Sequence, residues 1–71
     1  MKLQAQISIE SANNIRWLVI ESDEHDTCGY FLYHHIDRDL AYDTWFKTID
    51  EAFLAAQTQY GISKEDWVAI P

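Results

Sequence analysis

The stretch TIDEAFLAAQTQYG, residues 48–61, decides the architecture of this chain because it contains a whole helix with both of its ends. Thr48 and Glu51 stand three residues apart as a T-x-x-E capping box, in which hydroxyl and carboxylate satisfy amide donors that the first helical turn leaves unpaired. Gly61 supplies the left-handed stop, with Ile62 behind it as an apolar lid. Between these ends Ile49, Phe53, Ala56 and Tyr60 recur at helical spacing. Ala52 and Ala55 widen the stripe, and Asp50, Glu51, Gln57 and Gln59 are left for water. A helix with one apolar stripe has to lie on something, and the flanking sequence says what.

Leu3, Ala5, Ile7 and Ile9 alternate with Gln4, Gln6, Ser8 and Glu10, the period-two pattern of a strand with one wet face. Ser11 to Asn14 reads as a turn. Ile15 to Glu21 is a second strand, and its unbroken run Trp17, Leu18, Val19, Ile20 predicts a central position with both faces covered or sticky. Residues 22–28 are polar and form a loop. Gly29 opens a third strand running through Tyr30, Phe31, Leu32, Tyr33, His34 and His35. After a bend at Asp37 to Asp39, the aromatic segment Ala41 to Phe46 is a fourth strand that delivers the chain to the cap at Thr48. Ser63 and Asp66 cap a short final turn carrying Trp67. The expectation is a single α+β domain over residues 1–71: a four-stranded, mainly antiparallel sheet (β-β-β-β-α), one long helix packed on one face, and a short C-terminal turn.

Composition bounds the function. At 71 residues there is room for one core, and ten aromatic residues (three Trp, four Tyr, three Phe) offset the poor surface-to-volume ratio of so small a domain. One cysteine leaves no internal disulfide, which points to the reducing cytoplasm. No segment approaches the length of a membrane span, and MKLQAQISIE lacks the apolar run of a signal peptide, so the expectation is a cytoplasmic protein without membrane contact. A net charge of -7, from twelve acidic against five basic residues, disfavours direct binding to nucleic acid.

Register carries the functional expectation. An even hairpin loop after Glu10 sets Ile7 beside Leu18 and Ala5 beside Ile20 on the side that meets the helix. The opposite face then carries Ile15, Trp17 and Val19, and a similarly even connection to the third strand adds Tyr30 and Leu32. One helix shields one side of a sheet. The other side stays apolar, receives the Trp67 tail, or docks against another molecule. Trp45 is expected in the core, as Trp usually is in so small a domain.

Signals for chemistry are weak. His25, Asp26, Cys28, His34 and His35 lack the paired spacing of a zinc site, and adjacent His34 and His35 point to opposite faces of a strand, so solvated histidines are expected rather than a metal centre. Asp37, Asp39 and Asp43 resemble a calcium loop only in part, because Tyr42 and Thr48 stand where such a loop needs glycine and glutamate. Cys28 has His25 close by but no orienting third group. No phosphate-binding glycine loop, G-x-S-x-G or H-E-x-x-H motif is present. No catalytic residue, metal or cofactor is therefore expected.

Strands followed by an aspartate-rich bend and then Thr48, Glu51 and Ala52 as a T-x-x-E-A helix start resemble the small β-β-β-α domain of HicB-type antitoxins over Ile15 to Tyr60. The acidic loop followed by Gly29, Tyr30 and Phe31 adds to the likeness. His35, Ile36, Asp37 and Arg38 replace the proline-flanked motif of that family, and no helix-turn-helix or ribbon module follows the helix, so the resemblance does not extend to DNA-binding autoregulation. The arrangement of Asp43, Trp45, Thr48, Glu51, Ala52, Tyr60, Gly61 and Trp67 also resembles small bacterial proteins of unassigned function, which implies no chemistry.

The sequence thus predicts a non-enzymatic, cytoplasmic, bacterial protein-binding module. It acts through the sheet face bearing Trp17, Val19, Tyr30 and Leu32, on a protein partner or on a second copy as a homodimer. An alternative is an acidic inhibitor or antitoxin-like module that sets Glu21, Asp23, Glu24 and Asp26 against a basic enzyme. A further alternative is a small metal or thiol enzyme around His25, Cys28 and His35.

Overall fold

The computed structural model describes residues 1–7, 15–23, 29–38 and 41–71. The chain runs β1 (Lys2–Gln6), β2 (Trp17–Ser22), β3 (Tyr30–His35), β4 (Ala41–Phe46), α1 (Ile49–Tyr60), a 3-10 turn (Lys64–Asp66) and β5 (Val68–Ala69). The strands form one sheet in the order β4-β3-β2-β1-β5, and every pairing is antiparallel. Strands β1 to β4 make a meander. Helix α1 then crosses one face, so that β5 pairs with β1 at the edge opposite β4. The expected α+β architecture is present, with β2 central and with β5 as an additional short strand.

The helix ends where its sequence says. Thr48 is extended and its hydroxyl accepts the Glu51 amide at 3.2 Å. Asp50 and Glu51 place negative charge at the positive end of the helix dipole. At the other end Gly61 adopts φ 70°, ψ 21°, its amide donates to the Gln57 carbonyl at 2.9 Å, and Ile62 folds back into the core. The apolar stripe delivers Ala52, Ala56 and Tyr60 to that core, where they join Ala5, Leu18, Ile20 and Leu32. The two alanines present little more than backbone, which brings the helix close to the fully buried Leu18, Ile20 and Leu32. Each of these three contributes about 1.5–3 kcal/mol through removal from water.

Two register expectations need correction. Strand β1 pairs Ala5 with Leu18 and Leu3 with Ile20, two residues away from the expected alignment. A two-residue shift preserves which side chains face the helix. The β2–β3 connection has a larger effect. Ser22 pairs with Tyr30 and Ile20 with Leu32, so an odd number of residues, 23–29, joins the strands. Tyr30 and Leu32 therefore lie on the helix side: Leu32 is fully buried there, and Tyr30 packs against the same core. Ile15, which precedes β2, also turns into the core rather than onto the opposite face.

The tail does not cover the second face either. Trp67 packs against Phe53 of the helix, with ring centroids 5.9 Å apart, and belongs to the helix-side core. Its position follows from the 3-10 turn, in which the Ser63 amide donates to the Asp66 carboxylate at 2.8 Å and the chain is redirected along β1.

Because Gly61 sits in the left-handed region, Gly61→Ala is expected to destabilise the protein by about 1 kcal/mol while Gly61→Asn loses less. Urea unfolding of the three proteins checks this, and equal stability of the alanine variant and the parent would contradict the assignment of Gly61 as the stop.

Candidate functional site

The β2–β3 register determines what the face away from the helix carries. Trp17 lies opposite His35, Val19 opposite Tyr33, and Glu21 opposite Phe31. Strand β4 extends the three rows with Ala41, Asp43 and Trp45. Strand β1 extends them on the other side with Gln6, Gln4 and Lys2. The result is a continuous patch of Trp17, Val19, Phe31, Tyr33, His35 and Trp45, with hydrophilic residues beside it. Of the expected binding residues Trp17 and Val19 lie in this patch, whereas Tyr30 and Leu32 do not.

The rings brace one another. Trp17 and His35 stack at 4.9 Å with planes 7° apart. Tyr33 bridges Phe31 at 5.8 Å and His35 at 6.4 Å in tilted contacts. This mutual packing leaves Trp17, Phe31, Tyr33 and His35 half-buried and Val19 buried beneath them. Trp45, expected in the core, is instead 43% exposed. Its indole lies over Gly29, where a methyl group built on the glycine would overlap the ring. A bare backbone at position 29 thus provides the seat for Trp45, as cross-strand aromatics commonly cover a glycine in a sheet.

Carboxylates converge on the middle of this surface. The Tyr33 phenol is raised above its usual range, first by burial and then by the negative charges of Glu21, Asp43 and Asp23. Of the acidic residues expected to act together, Glu21 lies within β2 and Asp23 directly follows that strand. Glu24 and Asp26 lie outside the described residues, as do His25 and Cys28, so the thiol site expected as an alternative falls outside them too. Among the described residues no group of three or more His, Cys, Asp or Glu side chains is placed to hold a metal ion.

A second polar feature lies on the helix side. His34, expected to be solvated, is 2% exposed. Its Nδ1 is 2.7 Å from the Tyr60 hydroxyl and its Nε2 is 3.1 Å from Thr44 Oγ1. Tyr42 stacks on the ring at 5.0 Å. If Nδ1 accepts the Tyr60 proton, Nε2–H donates to Thr44; the opposite tautomer reverses both bonds. In either case the imidazole is satisfied while neutral, and it ties β3 to β4 and to the last turn of α1. Burial and the neighbouring Tyr42 push the Tyr60 phenol up to about 12, so it too stays neutral. His35, one residue on, faces the opposite side, as adjacent strand residues must.

Neither β-face assignment could be read from residue types alone. Residue type does not reveal that Phe31, Tyr33 and Asp43 share the open face with Trp17, because their side depends on whether the loop before β3 is odd or even. The sequence signal for His34 is its spacing two residues from Leu32, which places both on the same face.

No protein-family model, curated protein or solved structure matches this chain. The likeness to HicB-type domains therefore remains one of motif order.

Burial lowers the His34 pKa below 6.5, against a smaller opposing effect from Asp43. The folded protein then binds fewer protons than the unfolded chain once pH falls below 6.5. The stability contributed by neutral His34 is complete above that pH and declines as pH falls through the window beneath it. Ring-proton NMR is expected to show His34 titrating below 6.5, with a falling urea midpoint over the same interval. A His34 midpoint at or above 6.5 would contradict its burial as a neutral ring.

Proposed function

We propose that this protein is a non-enzymatic binding module that acts in the cytoplasm by engaging another protein through its open sheet face. The observation that carries the reading is the aromatic surface of β2, β3 and β4, which turns Trp17, Phe31, Tyr33 and Trp45 away from the helix. Rings that are rigid, braced and partly exposed give a large contact area with little loss of conformational freedom on binding, which is why Trp and Tyr dominate interface hot spots. The geometry favours recognition over catalysis. The polar network of His34, Tyr60 and Thr44 is internally satisfied, and among the described residues the open face presents rings and carboxylates.

Membrane association has no support from a spanning helix: no helix among the described residues is long and apolar enough to cross a bilayer. The single cysteine in the chain is consistent with a reducing compartment.

Photocrosslinking in cells tests the reading. A benzoylphenylalanine probe at Tyr33, central on the open face, is expected to capture a protein, while the same probe at Leu54, 62% exposed on the outer side of the helix, does not. Capture at Leu54 with none at Tyr33 would place the interaction on the wrong side of the sheet and overturn the proposal.

A further inference from the structure

We propose that the ligand of the open face is an arginine-bearing segment of a partner protein, an inference that rests on this face being the interaction surface. Three properties of the face converge on that chemistry. First, its rings are presented as flat surfaces: the Trp45 indole lies over Gly29 with much of its area exposed, and the Trp17–His35 stack fixes a second plane in the same face. A guanidinium is planar and weakly hydrated, and it stacks on such surfaces by cation–π attraction. Second, carboxylates lie within the aromatic rows. Glu21 and Phe31 are cross-strand neighbours, as are Asp43 and Tyr33, and Asp43 stands two residues from Trp45 on the same face of β4, so a cation resting on Phe31, Tyr33 or Trp45 finds an acceptor beside it. Carboxylates accept the two parallel N–H bonds that a guanidinium offers. Third, the chain carries a net charge of -7, which draws a basic segment towards it.

The same charges argue against the rival occupants. A second copy laid face to face would bring carboxylates of one sheet against those of the other, in a pair of chains each at -7. Single-stranded nucleic acid also stacks on sheet aromatics, but its phosphates would meet Glu21 and Asp43 where known platforms provide Lys and Arg. A purely apolar segment would leave Glu21, Asp43 and the Tyr33 hydroxyl desolvated without partners. An arginine-bearing segment satisfies both rings and carboxylates.

The test is a titration of the nitrogen-15-labelled full chain with four acetylated, amidated peptides of equal length, in which glycine alternates with arginine, lysine, citrulline or leucine. Citrulline keeps the shape of arginine and removes the charge. The arginine peptide is expected to move the indole N–H signals of Trp17 and Trp45 and the amides of Val19 and Tyr33. It should bind more tightly than the lysine peptide and about tenfold more tightly than the citrulline peptide, with a loss of affinity as salt is raised. The Glu21→Gln, Asp43→Asn double variant is expected to weaken arginine-peptide binding about tenfold. Its dispersed amide spectrum serves as the check of folding, and the parent protein's ranking of the four peptides decides the question even if that variant unfolds. Equal effects of arginine and citrulline, or a preference for leucine, would overturn the assignment of partner chemistry while leaving the face as an interaction surface. Shifts confined to helix residues such as Leu54 and Gln57, or no shifts at all, would also overturn it; capture by a probe at Tyr33 then decides separately whether the face reading falls with it.

Discussion

The pairing of Ile20 with Leu32 is the constraint on which the rest of this structure depends. With Leu18 they form the fully buried layer on which α1 rests, and Ala52 and Ala56 are small enough to let the helix approach. Strand periodicity does the rest. Once Leu32 is committed to the helix side, its neighbours Phe31 and Tyr33 are turned to the other side, where Trp17 and Val19 already lie. Core and candidate binding surface are therefore two consequences of one alignment. A shift of one residue would expose Leu32 and bury Phe31, exchanging the two sets.

The order of the elements makes the two faces unequal. Helix α1 carries the chain from the β4 edge to the β1 edge across a single face, and Trp67 finishes on that same side against Phe53. Of the described elements that follow the helix only β5 reaches the open face, where it adds the exposed Val68 beside Gln4 at the sheet edge. That face relies on its own rings for partial cover: Trp17 with His35, Tyr33 with Phe31, and Trp45 over the backbone of Gly29. Such bracing orders the half-buried aromatics and makes this a rigid surface for the proposed partner. The buried His34 network has a complementary role, since its bonds to Tyr60 and Thr44 hold the β3–β4 pair beneath the helix end.

Much of this fold was legible in the sequence because its signals are local. Thr48 and Gly61 delimit the helix through their own side chain or lack of one, and the aromatic run Ala41–Phe46 coincides with β4. Alternation in β1 gave the correct inward side chains even though its alignment moved by two residues. What could not be read was parity across a polar loop. Residues between β2 and β3 impose no visible count on the connection, so Tyr30 and Leu32 were expected where Phe31 and Tyr33 are found. The position of Trp45 escapes the sequence for a related reason: its side is set by its β3 partner Phe31 and by the space above Gly29, both contacts distant in sequence. The burial of His34 likewise depends on Tyr60, 26 residues away.

Nuclear Overhauser contacts to the alanine methyl groups of the helix test the central alignment most directly. The account predicts that Ala52 and Ala56 methyls contact the side chains of Ile20 or Leu32, that Trp17 and His35 ring protons contact each other, and that Phe31 and Tyr33 show no contact with either alanine. Contacts from Phe31 or Tyr33 to Ala52 or Ala56, with Leu32 on the far side, would contradict the alignment and remove the aromatic face with it.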